Sequence, residues 1–317
     1  MLLRLSRWTG VLLALALALA VSGCGTLPDA TPFADASRTL SNSVALAGQA
    51  VADSLGEAGA LSESDEAAYK ARADRFRTAW AERVATTRAV AAYAESISDL
   101  ISAGQEGGET VKKVGESLSG LAGALNIPLA SPALGVLGDV GRFLADRIAM
   151  VRASDRLETA LAQAQPAIDR LADRIANEND LQLRTVLDSA FKNQRSLISG
   201  KYGAEQDQLK QLEDRRMKLV SQALTDPGAL PVLLQHDQAL ANLRTRLAER
   251  DRRLAEAATA HKARLQLLNA LSAATLTWAQ SHRDLAVAVK QKRKVTVAEL
   301  QTTITELKSL AKKVSEL

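Results

Sequence analysis

Apolar residues that recur every three or four positions, over runs far longer than an ordinary helix, decide what this chain can fold into. The longest run extends from about Leu233 to Val289, where Leu240, Leu243, Leu247, Leu254, Leu268, Leu271, Trp278 and Leu285 form a seam among Arg and Glu. That spacing puts neighbouring members on one side of a helix and would scatter them over both faces of a strand. A first helix is marked by Leu40, Val44, Val51 and Leu55, before Gly56 and Gly59. A second follows the capping and acidic residues Ser62-Glu63-Ser64-Asp65-Glu66, with a stripe through Tyr69, Phe76, Trp80, Val84, Ile97 and Ile101. Gly104 and the Gly107-Gly108 pair end it. Val140, Leu144, Ile148, Val151, Leu157, Leu161, Ile168, Leu171 and Ile175 continue the habit, with Pro166 expected to kink that run or start a new helix. Leu183, Leu187, Phe191 and Leu197 extend it to a break at Gly200 and Gly203, and Leu209, Leu212, Leu219 and Leu224 carry it to the turn Thr225-Asp226-Pro227-Gly228. Thr296 and Glu299 form a capping box for a last helix through Val297, Leu300, Ile304, Leu307, Ala311 and Val314. The hydrophobic fraction is 47% with only 3% aromatics, so the apolar mass is Ala, Leu and Val, a helical vocabulary. The predicted fold is all-α: an elongated bundle of long antiparallel helices with coiled-coil-like packing.

Ahead of the helical part, Arg4 and Arg7 precede an uncharged stretch from Trp8 to Val21, and Val21-Ser22-Gly23-Cys24 follows. A charged start, a short greasy middle and small residues describe a secretory signal peptide rather than a spanning helix. Cys24 is the single cysteine, so no disulfide partner competes for it. The segment resembles the lipobox of bacterial lipoproteins, with Val21 where Leu is more usual. The resemblance covers about the first 25 residues and implies acylation of Cys24 and removal of residues 1–23. Each buried methylene adds about 0.8 kcal/mol of membrane affinity, so two or three acyl chains hold a protein of this size on a bilayer. Gly25, in place of the Asp that favours inner-membrane retention in enteric bacteria, leans the expectation towards the outer membrane, facing the periplasm. Residues 24–36, with Pro28 and Pro32, read as a flexible tether, and residues 37–317 as a single helical domain.

Two further segments are candidate contact sites. Ser117 to Gly138 is a run of 22 residues without a charge, long enough for a membrane span. Pro128 and Pro132 and four glycines argue instead for an apolar hairpin, its tip at Leu125, Ile127, Pro128 and Leu129. Packing of that hairpin within the bundle is the expectation; contact with a membrane or partner is the alternative. Long helices with one apolar hairpin resemble, in architecture alone, the α-helical pore-forming toxins. The second segment is the basic turn Lys290, Lys292, Arg293 and Lys294, which suits a helix C-terminus and equally suits anionic headgroups, lipopolysaccharide phosphates or cell-wall carboxylates. His261 and Arg264 fall on the long seam and are expected to turn towards water as it drifts.

No catalytic residue, metal site or cofactor is assigned. His236, His261 and His282 lie 25 and 21 residues apart without the spacing of a metal set, and no H-E-x-x-H, G-x-S-x-G or phosphate-binding glycine loop is present. Nucleic acid is not an expected partner: the net charge of +4 falls to +2 without Arg4 and Arg7, and no basic–aromatic pattern occurs. The expectation is a non-enzymatic envelope lipoprotein acting as spacer, adaptor or assembly factor. It would meet a membrane through its acyl chains and a protein partner, or itself, through helices. The alternatives are a membrane-active helical protein and a binder of lipid or cell-wall components.

Overall fold

The computed structural model describes residues 27–59, 66–104, 108–125, 147–148, 150–152, 156–295 and 297–316. Among these residues the secondary structure is helical, with no strand, and the fold is an all-α helical bundle. Its helices are α1 (Thr31–Gly59), α2 (Glu66–Ser102), α3 (Gly108–Leu125), α4 (Leu157–Glu178), α5 (Arg184–Lys201), α6 (Gly203–Ala223), α7 (Leu230–Gln291) and α8 (Ala298–Ser315). The uninterrupted 62 residues of α7 carry the long seam, and Tyr202 separates α5 from α6 as the Gly200/Gly203 break predicts.

Three local outcomes differ from the sequence reading. The first is α1, which begins inside the segment read as a tether. The Asp29 carboxylate accepts the Thr31 N–H at 2.9 Å, and the Ala30 carbonyl accepts from Phe33 and Ala34 at 3.1 Å. Pro32 sits in the first turn, where its missing N–H costs no hydrogen bond. Phe33 and Ala36 are buried, so burial of the first turn overrides the proline signal. Thr31–Ala36 therefore belongs to the fold.

The second concerns Pro166: it lies inside a helix that neither ends nor starts there, so the expected alternative of a new helix start is not realised. Pro166 and Ala162 face solvent, so water can satisfy the carbonyl that loses its partner, while Leu161, Ile168 and Leu171 on the other side stay buried. The third is a widened π-helical turn, Asn179–Leu183, that joins α4 to α5 and was not foreseen. It presents Asp180 to the Ser272 hydroxyl, which donates at 3.1 Å.

The chain packs as two compact units: residues up to 42, 82–176 and 273–305 form the first, and 43–81, 177–272 and 306–317 the second. In the first, α1 runs antiparallel to α2, since Arg38 bonds Glu95 while Ser41 bonds Thr87. It also runs antiparallel to α7, with Phe33 beside His282 and Ser37 bonded to Trp278. Phe33, Tyr93, Ile97, Leu118, Leu157, Ile168, Trp278 and Leu300 form this core. Burying such a side chain is worth about 1.5–3 kcal/mol.

In the second unit α5 runs antiparallel to α7: Asp180 meets Ser272, Arg184 meets Asn269, and Asp188 meets His261. Helices α6 and α7 form a hairpin clasped by Arg216–Asp237 at 2.6 Å and Arg244–Glu213 at 3.0 Å. Its turn is capped by Asp226, whose carboxylate accepts the Gly228 N–H at 2.9 Å. On α2, Trp80 packs against α1 and its indole N–H donates to the Val44 carbonyl at 2.9 Å. A Cβ at Gly48 would sit 1.9 Å from that indole. Glycine here serves close helix approach, not an unusual φ. Gly48→Ala should therefore lower the unfolding free energy by about 1–3 kcal/mol, the usual cost of overpacking. Gly56→Ala on the same helix, with nothing within 4 Å of the added carbon, should be neutral or stabilising by about 0.4–1 kcal/mol. Denaturant unfolding followed by circular dichroism compares the two; equal losses would contradict the packing argument.

Candidate functional site

A line of hydrogen bonds runs through the core of the first unit. The Tyr93 hydroxyl lies 2.8 Å from His282 Nε2, and His282 Nδ1 lies 2.6 Å from Gln165 Oε1. Gln165 Nε2 donates to Asp169 at 2.7 Å and to the Ala279 carbonyl at 3.0 Å. Because the amide nitrogen is engaged there, Gln165 Oε1 must accept, which puts the imidazole proton on Nδ1 and leaves Nε2 to accept from Tyr93. Phe33 packs on the same imidazole and stacks on Trp278, ring centroids 5.9 Å apart in both contacts. Trp278 donates to Ser37 Oγ at 2.7 Å, and Ser37 donates on to the Phe33 carbonyl at 2.8 Å. Asp169 ends the line at the surface, held by Arg283 at 2.8 Å beside a cleft of about 330 Å³. Burial pushes the Tyr93 phenol up, and burial takes the His282 imidazole down to about 4. Both stay neutral near pH 7, and the matched donors and acceptors make the line a register lock rather than a reactive set.

At one end of this unit stands the basic turn. Helix α7 closes with Lys292 at φ 49°, in the left-handed region. The Arg293 N–H bonds the Ala288 carbonyl at 3.1 Å and the Lys292 N–H bonds Val289 at 3.3 Å, the crossed pair of a Schellman cap. Glycine ordinarily fills that position; Lys is strained there by about 1–2 kcal/mol. Lys290, Lys292, Arg293 and Lys294 are all exposed. No acidic residue occurs in the sequence between Leu285 and Ala298.

The second unit holds a cleft of about 800 Å³ lined by Glu57, Gln194, Ile198, Arg252, Arg253 and Thr259, among others. Its charges are already matched. Glu249 accepts from Arg252 and Arg253, which hold its carboxyl down to about 2, and Arg252 also bonds Glu256. A ligand anion would have to displace these carboxylates. Glu57 takes both terminal nitrogens of Arg264, at 2.6 and 3.1 Å. Arg264 is thus buried with a partner, and His261 is largely buried, stacked on Phe191 at 4.3 Å and paired with Asp188 at 3.1 Å. This corrects the expectation that both face water. Burial lowers the His261 pKa, with Asp188 opposing. The seam does not drift away from these residues; α1 and α5 bring partners to them.

Of the remaining sequence-derived sites, Val21, Ser22, Gly23, Cys24, Ile127, Pro128 and Leu129 lie outside the described residues. Leu125 ends α3, but its side chain lies outside them too, as does Thr296 of the capping box. The described start of the apolar run is helical, with Leu118, Leu121 and Ala122 buried. Helix α8 buries Leu300, Ile304, Leu307 and Ala311, so its stripe is occupied within the fold. Exposed large apolar side chains gather instead around the α6–α7 turn, at Met217, Leu224, Leu230, Val232 and Leu234.

Sequence spacing had no means of finding the Tyr93–His282–Gln165 line, whose members are 189 and 117 residues apart. The only local signals were the i, i+4 pairs Gln165/Asp169 and Trp278/His282. No protein-family model, curated protein or solved structure matches the chain. Its functional reading therefore rests on its own residues.

His282 makes stability depend on pH. Its folded pKa of about 4 lies below the ordinary 6.5, so the unfolded chain binds the proton first on acidification. The contribution is complete above pH 6.5 and is lost as the pH falls towards about 4, amounting to about 3 kcal/mol. Denaturant titrations across that window should show this slope, and His282→Gln should flatten it. An unchanged slope in the variant would assign the effect to other groups.

Proposed function

We propose that the chain is a lipid-anchored envelope protein whose helical bundle acts as a spacer or adaptor in the periplasm. The observation that carries this reading is the lipobox-like Val21-Ser22-Gly23-Cys24, holding the chain's single cysteine, placed just ahead of a packed fold. Leu27 is the first described residue, Pro28 is buried and α1 begins at Thr31, so the bundle follows the acylated position almost directly. Among the described residues no helix is long and apolar enough to cross a membrane, and the attachment in this reading is Cys24. The outer membrane is favoured because Gly25 stands where Asp retains lipoproteins in the inner one.

The adaptor half of the reading is supported by the exposed apolar side chains at the α6–α7 turn. Leu224, Leu230, Val232 and Leu234 offer Leu-sized knobs to a helix of another envelope protein.

Growth with an alkynyl fatty acid should label the wild-type chain, and Cys24→Ser should abolish the label and release the protein from washed membranes. Label retained by Cys24→Ser, or an unlabelled wild-type chain, would refute the anchor. Photo-crosslinking probes at Leu224 and Leu234 should capture one reproducible envelope protein in cells, and Leu230→Ser should reduce that capture at unchanged protein level. Capture of lipid or of nothing would refute the adaptor role of this turn.

A further inference from the structure

We propose that the basic turn after α7 is a membrane-docking surface that binds anionic lipid headgroups of the same bilayer that holds the acyl anchor. The inference rests on the lipid-anchored reading and adds to it a second, electrostatic contact that orients the bundle.

The geometry comes from one unit alone. Within the first unit Phe33 packs beside His282, and Trp278, one turn back along α7, bonds Ser37, one turn on along α1. The two helices are therefore antiparallel, and the start of α1 lies at the same end as the finish of α7. Helix α1 begins two residues before Phe33, and α7 ends nine residues after His282. Both the chain leading back to Cys24 and the Lys290–Lys294 turn emerge at this end. Leu27 is three positions beyond Cys24, so the acylated position lies within about 11 Å of the described fold by covalent reach alone. The early start of α1 matters here: the thirteen-residue segment 24–36 would have let this end stand well clear of the headgroups, and seven residues, 24–30, allow far less. A short standoff favours this contact, because attraction to anionic lipid is effective only within about a Debye length, roughly 8 Å.

The form of the turn points the same way. A helix C-terminus gains from cations in its last turn, but Arg293 and Lys294 lie beyond the helix end. Lys292 occupies the left-handed cap position that glycine fills without strain, and its side chain is exposed. Lys290, Lys292, Arg293 and Lys294 place four cations within five residues.

The test supplies the anchor chemically, so it does not depend on whether cells acylate Cys24. The chain from Cys24 onward, which contains every described residue, is coupled through its single thiol to maleimide-bearing lipid. The vesicles are phosphatidylcholine with or without phosphatidylglycerol. Hydrogen–deuterium exchange is read at residues 290–297. Exchange there should slow by about tenfold on the anionic vesicles relative to the neutral ones and recover with added salt. The combined change Lys290→Gln, Lys292→Gln, Arg293→Gln and Lys294→Gln should abolish the difference. Changing four exposed lysines of the second unit, Lys192, Lys210, Lys218 and Lys308, to Gln should leave it intact. Lys292→Gly is a variant that relieves strain: it should raise thermal stability while weakening the protection. Equal exchange on both vesicles, protection that survives the combined change, or equal loss in the control variant would overturn the proposal. An acyl-labelling failure at Cys24 in cells would refute the anchor without altering these outcomes.

Discussion

The buried line from Tyr93 through His282 to Gln165 is the constraint on which the first unit depends. Seams of Leu and Ala on long helices are nearly self-similar, and sliding one helix past another by a turn would lose little apolar contact. A slip here would leave a phenol, an imidazole and an amide without partners in the core, each at a cost of about 1–3 kcal/mol. Four helices meet at that point: α1 through Phe33 and Ser37, α2 through Tyr93, α4 through Gln165, and α7 through Trp278 and His282. A chain with 3% aromatics has concentrated several of them where register must be decided.

The second unit settles the same problem with charge and close approach. Arg264 is buried against Glu57, His261 is stacked on Phe191, and Trp80 lies against the glycine surface of α1. Removing one partner of such a pair is costlier than never having the pair, so these contacts specify alignment more than they add stability. The cleft beside Glu57 inherits that logic: its arginines and glutamates satisfy one another, and its polarity is structural before it is available to a ligand.

The proposed contact surfaces are not part of the buried core of their own units. The basic turn caps the end of α7, and the apolar residues of the α6–α7 turn stand at a hairpin apex. Each carries a local cost: Lys292 strains its own backbone, and Leu224 and Leu234 expose apolar surface to water. An exposed apolar cluster at a hairpin apex is the kind of feature to associate with contact outside the chain.

Helical periodicity alone determined the all-α class, the extent of α7, the break near Gly200 and the turn at Asp226-Pro227, because spacing of three and four and the chemistry of Gly, Pro and Asp act within a few residues. The candidate contact residues Lys290, Lys292, Arg293 and Lys294 were legible for the same reason, as a local run of charge. Tertiary structure decided the rest. It drew Thr31–Ala36 into α1 because Phe33 had a core to enter, and let Pro166 remain inside α4 because its side of the helix faces water. Partners for His261 and Arg264 came from helices more than 70 and 200 residues away in sequence. The end-to-end placement of the α1 start and the basic turn likewise follows only from antiparallel packing, since a one-dimensional pattern records which face a residue occupies and not which helix lies against it.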